Sequence, residues 1–211
     1  MERIEKILGR KIKEKIVLYA PTWRGETGNV SDSTERLKND VEELMKELNE
    51  DAELLIKVHH LSYDFLIENG KELSDIVIPE YYETNELLNA VDVLITDYSS
   101  IFFEYIPLKR PIIYYVYDKE SYISERGLYL DLEELPGVVE TDVKEVSKLL
   151  KNKELSKEVV NEKYDKFIKE YCPFDDGGST KRVIDLIFEE KIEKEKKEKK
   201  KTRKLIYVSK L

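Results

Sequence analysis

Short apolar runs alternate with helix-spaced apolar residues along most of this chain. The run at residues 16–20 is continuously apolar and stops at Pro21, a pattern typical of a strand buried on both faces of a sheet. Further strands are predicted at 53–58, 76–78, 91–96 and 111–116, and helices at 35–49, 85–90, 100–108, 143–150, 153–171 and 180–190. The alternation predicts an α/β fold, a Rossmann-like parallel sheet with helices on both faces.

Polar residues follow three of the predicted strands at the points where those strands end. Thr22 follows the first strand, His59 the second and Asp97 a later one. Right-handed crossovers place the strand-to-helix loops of a parallel sheet at one edge, where ligands of such sheets bind. We therefore expect these residues to converge on one crevice, with Trp23 and Arg24 beside Thr22.

Two predicted helix starts carry residue types that bind phosphate. In the segment 97–100, Ser99 or Ser100 can cap the following helix, whose free backbone N–H groups favour an anion. At the last predicted helix, Gly177 lets a ligand approach the backbone closely, and Ser179 can cap and donate. An ordinary cap without a ligand is the alternative at both places.

Three basic side chains are candidate partners for a phosphate. His59 can act as an acid or base or donate to a phosphate, and Lys57 lies just before it. Arg126 can clamp a phosphate with two hydrogen bonds, although a salt bridge to one of the many carboxylates is the alternative. With His59 and His60 the only histidines, and Cys172 the only cysteine, neither a zinc site nor a thiol nucleophile is expected.

Charge and composition narrow the functional classes and the domain organisation. The 211 residues carry a net charge of −9, which argues against nucleic-acid binding. Residues 191–211 hold ten Lys or Arg and three Glu, so this tail carries +7 and the rest of the chain −16. The expected organisation is a lead-in at 1–14, a nucleotide-donor-binding domain at 15–190 and a basic tail at 191–211. The sequence has no transmembrane stretch and no signal core, which predicts a cytoplasmic location. It also has no Walker-type or GxGxxG loop, so neither a nucleoside triphosphatase nor a dinucleotide dehydrogenase is expected.

Eight segments together resemble the catalytic signature of the CDP-glycerol glycerophosphotransferases, enzymes that build and prime teichoic acids and related polymers. The segments are VLYAPTWR at 17–24, KVH at 57–59, DVLITDYSSIFFEY at 92–105, KRP at 109–111, YD at 117–118, RGLY at 126–129, EELPG at 133–137, and Asp176-Gly177 with Ser179. Their order and spacing agree from about residue 15 to 188.

The resemblance implies one half of a GT-B fold, the C-terminal half that binds the nucleotide donor. It implies that His59 is essential and lies near the donor phosphates, that Ser99 and Ser100 cradle the diphosphate, and that Arg126 and Ser179 add contacts. The implied reaction moves glycerol phosphate from CDP-glycerol, or a related CDP-polyol, to a lipid-linked polyol phosphate acceptor and releases CMP. It implies no protein-bound metal or other cofactor.

The resemblance also leaves alternatives open. The chain begins just before the first donor-half strand, so a separate acceptor-domain chain that supplies a second catalytic histidine is an expected partner. Lys57 stands where the family more often has arginine, and His60 stands where it more often has tyrosine or proline. A donor-binding fragment inactive alone, and another GT-B nucleotide-sugar transferase or epimerase, are the competing interpretations. A lipid-linked acceptor predicts peripheral attachment to the inner face of the cell membrane, with the tail at 191–211 against anionic lipid or merely solvated.

Overall fold

The structure is a computed structural model that describes residues 2–22, 24, 30–69, 73–152 and 155–188. The chain divides into two compact units, Met1–Glu170 and Tyr171–Leu211, which are described separately below. Trp23 and the basic tail at 191–211, both named in the sequence analysis, lie outside the described residues. The domain boundaries at 14 and 190 stay predictions.

The first unit is built on a five-stranded parallel sheet in the order β2-β1-β3-β4-β5. The strands are β1 Lys15–Tyr19, β2 Ala52–Ile56, β3 Val93–Thr96, β4 Ile112–Tyr115 and β5 Val138–Glu140. Consecutive residues of β1 and β4 are buried, so both faces of the sheet are covered. The predicted α/β fold with a parallel sheet is confirmed.

Helices precede, connect and follow these strands. They are α1 Glu2–Leu8, α2 Val30–Lys46, α3 His60–Asn69, α4 Thr84–Ala90, α5 Ile101–Tyr105, α6 Lys119–Arg126, α7 Val143–Lys151, α8 Leu155–Val159 and α9 Glu162–Tyr171. The second unit contains a helix at residues 179–188. Within the described parts of the chain, none of the helices has the length and apolarity that crossing a bilayer requires.

Several predicted elements differ from those in the structure. The expected strand at 76–78 is wrong: Val77 forms only a single parallel bridge to Ile56, at the outer edge of β2. The expected helix at 100–108 is α5 followed by one 3₁₀ turn at Ile106–Leu108. The expected helix at 153–171 is interrupted because the Asn161 side chain accepts a hydrogen bond from the Lys163 N–H and caps a new helix, α9.

Four elements had no counterpart in the sequence analysis: α1, α3, α6 and β5. The start of β5 explains part of the segment EELPG as a packing requirement. A Cβ on Gly137 would lie 2.5 Å from the Ile112 carbonyl oxygen, and the φ of Gly137 is +123°. Glycine therefore lets the chain pass close to β4 before β5 begins.

The strand order places one crevice in the first unit. The chain runs from β1 outward to β2 and then returns to add β3 on the other side of β1. In parallel sheets, ligands bind outside the carboxyl ends of the strands at such a reversal. The ends of β1 and β3, and the loops that follow them, are therefore where a ligand is expected.

Candidate functional site

Asp97 lies at the centre of this crevice, directly after β3. Its buried carboxylate accepts the Thr22 backbone N–H at 2.9 and 3.0 Å, and the Thr22 hydroxyl also donates to it. The Tyr98 N–H donates to the same carboxylate at 2.7 Å. The structure thus brings together the loops after β1 and β3, as the strand pattern predicted, and it fixes Asp97 by backbone donors.

Arg24 joins this cluster to a third loop. Its guanidinium donates to Asp97 at 2.8 Å, to Asp118 at 2.7 and 3.2 Å, and to the Thr22 carbonyl at 2.7 Å. Although burial alone would lower the pKa of Arg24, the hydrogen bond to Asp118 and the charge of Asp97 raise it above its ordinary value. Arg24 is therefore a fixed cation that the protein's own carboxylates neutralise.

Tyrosine rings surround the guanidinium of Arg24. The guanidinium carbon lies 5.3 to 5.6 Å from the ring centroids of Tyr98, Tyr117 and Tyr122, within the range of cation–π attraction. Tyr98 stacks on Tyr122 of α6 at 3.7 Å, and the guanidinium of Arg126 lies 5.6 Å from the Tyr122 centroid. Arg126, a predicted ligand-binding residue, is thereby connected through Tyr122 and Tyr98 to the turn at Asp97.

The serine turn differs from the simple cap that its sequence predicts. The Ser99 hydroxyl accepts the Ile101 N–H at 3.3 Å, whereas the exposed Ser100 precedes α5 and makes no capping hydrogen bond through its side chain. Because α5 has only five residues, its dipole contributes little, and an anion here would depend on local N–H and hydroxyl donors.

A cavity of about 350 Å³ opens between this turn and α6. Its polar lining includes Asp97, Tyr98, Ser100 and Arg126, and most of the remaining wall is phenylalanine, tyrosine and leucine. A cavity of this size with a few polar groups on an apolar wall is typical of small-molecule sites. The segments DYSS and RGLY, far apart in the sequence, therefore line one space.

A second, smaller cavity of about 60 Å³ also borders Asp97. Thr22, His59 and Arg24 line it together with two α2 residues, Arg36 and Asp40, which the sequence analysis missed. His59 is exposed, and neighbouring His60 is the first residue of α3, with its side chain outside the described set. The structure thus brings His59 to the same crevice as Asp97.

Asp40 is a buried carboxylate held by tyrosine. It accepts the Tyr115 hydroxyl at 3.1 Å, and Arg36 donates to that hydroxyl at 3.1 Å. Burial raises the pKa of Asp40 above its ordinary value, although Arg36 and the hydrogen bond from Tyr115 oppose the shift. A signal was available in the sequence, because Asp40 lies three residues after Leu37 and four before Leu44, on the apolar face of α2.

Lys57 has backbone partners in the structure. Its ammonium donates to the Tyr82 carbonyl at 2.9 Å and to the Pro79 carbonyl at 3.4 Å. Burial lowers the pKa of Lys57 below its ordinary value. These contacts hold the loop that follows the Val77 bridge, and a phosphate contact by Lys57 stays a prediction.

In the second unit, the predicted phosphate loop is organised by its own side chains. Asp176 accepts the Gly178 N–H at 2.8 Å, and Nη1 of Arg182 donates to both of its carboxylate oxygens at 2.9 Å. The Ser179 hydroxyl donates to the Phe174 carbonyl at 2.8 Å, and Gly177 has a φ of +76° that suits glycine. Donor contacts by Gly177 and Ser179 stay predictions. Across the described residues of both units, no group of three or more potential metal-ligating side chains occurs.

Comparison with known proteins gives a consistent result. The family model described as CDP-glycerol:poly(glycerophosphate) glycerophosphotransferase matches residues 1–189. A teichoic acid poly(glycerol phosphate) polymerase of Staphylococcus epidermidis is 35% identical over 190 residues, covering 89% of this chain and 26% of the relative. A teichoic acid glycerol-phosphate transferase of Staphylococcus aureus is 33% identical, covering 84% of this chain and 46% of the relative.

Solved structures agree with these relatives. The wall teichoic acid polymerase TagF, soaked with CDPG in a histidine variant, matches with a TM-score of 0.72 and 34% identity, over 92% of this chain and 46% of that chain. The same variant without the soak gives a TM-score of 0.75. The chain spans less than half the length of these relatives. The chain therefore belongs to the CDP-glycerol:poly(glycerophosphate) glycerophosphotransferase family.

Proposed function

We propose that this chain binds the CDP-glycerol donor, or a related CDP-polyol, for glycerophosphate transfer in the synthesis of a teichoic-acid-like polymer. The observation that carries the proposal is the gathering of family segments around Asp97. Thr22, His59, Ser100 and Arg126 come from separate segments of the chain, yet they line two cavities that share this residue. A donor that lies across the shared boundary would contact both sets of side chains.

In the proposed complex, the nucleoside occupies the larger cavity and the diphosphate lies at the Ser99-Ser100 turn. The apolar and aromatic wall of that cavity suits a base and ribose, and Arg126 at its rim suits a phosphate. The family resemblance also implies donor contacts by Gly177 and Ser179. With the donor in this orientation, its distal, glycerol-bearing phosphate would lie towards His59.

The proposed chemistry is a phosphoryl transfer in which the protein mainly positions groups and stabilises charge. A hydroxyl oxygen of the lipid-linked polyol phosphate acceptor attacks the β-phosphorus, the bond between that phosphorus and the bridging oxygen breaks, and CMP leaves. His59 donates a hydrogen bond or a proton to the departing phosphate. The acceptor proton passes to a base outside this chain's described site, since the other half of the relatives' length is where an acceptor site would lie.

Independent turnover is therefore not part of the proposal. Because the chain spans less than half of its relatives, a donor-binding half that works with an acceptor-binding half, on the same or a separate polypeptide, is the form that the coverage favours. The proposed place of work is the cytoplasmic face of the membrane, with the basic tail at 191–211 against anionic lipid. The lipid-linked nature of the acceptor supports this location.

Isothermal titration calorimetry with CDP-glycerol tests the proposal directly. The wild-type chain should bind CDP-glycerol or CDP-ribitol more tightly than UDP-sugars, and tighter binding of UDP-sugars would instead support a nucleotide-sugar enzyme. Replacing both Ser99 and Ser100 with alanine should weaken donor binding by about 1–3 kcal/mol, since charge-assisted hydrogen bonds would be lost. Thr141→Ala, an exposed hydroxyl loss after β5, is the matched control. Equal affinity of the folded double variant and the control would contradict the proposed diphosphate site.

A further inference from the structure

Arg24 has little donor capacity and no uncompensated charge left for a phosphate ligand. All three of its guanidinium nitrogens donate to protein oxygens, and its side chain is only 15% exposed. The two carboxylates that it contacts, Asp97 and Asp118, outweigh its single charge. An incoming phosphate would therefore meet a cluster of net charge −1, so direct contact with Arg24 is electrostatically unfavourable.

The same cluster connects three neighbouring strands of the sheet. Arg24 follows β1, Asp97 follows β3 and Asp118 follows β4, and these strands are adjacent in the sheet order. The ion pairs at 2.8 and 2.7 Å therefore tie together the three loops at the carboxyl edge. Buried pairs of this kind resist separation because removing one partner leaves an uncompensated charge.

From Asp118, contacts lead to both walls of the larger cavity. Asp118 accepts the Tyr98 hydroxyl at 3.1 Å, and Tyr98 belongs to the turn that carries Ser100. Tyr98 also stacks on Tyr122 of α6, the helix that ends at Arg126. Asp118 itself precedes α6 as its N-cap residue, without a capping hydrogen bond from its side chain. Its carboxylate is thus committed to Arg24 and Tyr98.

We propose that Asp118 is a positioning residue for the donor: through Arg24 and Tyr98 it holds the serine turn and α6 so that Ser100 and Arg126 face one ligand. This inference rests on the proposed function. Asp118 contacts no ligand itself in this arrangement, and Arg24 acts through it. The preorganisation lowers the cost of ordering two loops when the donor binds.

The first test compares Asp118→Asn with Asp165→Asn, which removes the same charge from an exposed pair with Lys109. By calorimetry, Asp118→Asn should weaken CDP-glycerol binding at least tenfold, Asp118→Glu should recover part of the loss, and Asp165→Asn should bind as wild type. In an Arg126→Ala background, Asp118→Asn should weaken binding less than threefold, since neighbouring groups that act together give non-additive losses. An equal loss in both backgrounds, or no loss in either, would overturn the inference.

A second measurement needs no ligand. Amide hydrogen exchange of the free protein should be faster at residues 98–101 and 119–126 in Asp118→Asn than in Asp165→Asn. Tyr98→Phe, which removes only the hydroxyl contact, should show a smaller increase in the same segments and serves if Asp118→Asn does not fold. If the wild type binds no CDP-glycerol, the proposed donor fails while exchange still decides this inference. Unchanged exchange at both segments would refute it.

Discussion

Removing Arg24 should destabilise the protein more than removing an exposed cation. Arg24→Met keeps much of the side chain's volume but leaves Asp97 and Asp118 without their shared positive charge. Asp97 has a side chain only 3% exposed, whereas Asp118 is 20% exposed and can be partly solvated. The loss therefore falls mainly on Asp97.

The magnitude follows from what remains around Asp97. Breaking a buried ion pair by removing one partner costs about 3–5 kcal/mol. Thr22 and Tyr98 still donate to the Asp97 carboxylate in the variant, so we expect a loss of about 3 kcal/mol, the lower end of that range. Lys148→Met, which breaks an exposed pair with Glu145, should cost about 0–1 kcal/mol.

Equilibrium unfolding in urea, followed by far-UV circular dichroism, measures both variants against wild type. The midpoint should fall for Arg24→Met with little change in slope, because the same surface is exposed on unfolding. A loss no larger than that of Lys148→Met would refute the idea that Arg24 neutralises a buried carboxylate. It would also remove the energetic argument that Arg24 holds the loops of the site together.

Three further predictions concern the smaller cavity and the tail. In an enzyme reconstituted with an acceptor half, His59→Ala should lower the rate of transfer by about 100-fold or more without loss of fold. His60→Ala should keep most of the activity. The reverse order of activities would contradict the assignment of His59 as the catalytic histidine. The pKa of Asp40 is raised in the folded state, so the folded state binds the Asp40 proton more tightly than the unfolded state does. The stability of the wild type should therefore fall as the pH rises from the ordinary pKa of 3.8 through the raised pKa. Asp40→Asn should lack that component in urea titrations across this pH window, and an unaltered pH dependence would contradict it. In vesicle sedimentation at low salt, the full chain should bind anionic vesicles and a chain ending at Glu190 should not. Equal binding by both chains would exclude a role for the tail. Binding that persists at high salt would indicate apolar insertion into the membrane instead.

The fold class and the sheet edge that carries the candidate site could both be predicted from the sequence alone. Continuous apolar runs before Pro21 and Asp97 predicted strands buried on both faces, and parallel strands with right-handed crossovers bring their following loops to one edge. The family segments could be recognised in the sequence because each is a short local pattern at a strand end or helix start. Short elements were missed where local signals were few: β5 has three residues, and α6 has no buried residue.

The contacts between polar groups, in contrast, could be read only from the packed structure. Arg24 contacts Asp97 and Asp118, which are 73 and 94 residues away, and no local pattern specifies such partners. The sequence predicted that Arg24 and Asp97 lie at the ligand crevice, and the structure adds that they neutralise and hold each other, while their contacts with a ligand stay predictions. Likewise, Asp40 meets Tyr115 across 75 residues of chain. The environment of a charged residue depends on which residues the fold packs against it. Whether its donors are free for a ligand or bonded to the protein is therefore decided by packing at the edge of the sheet.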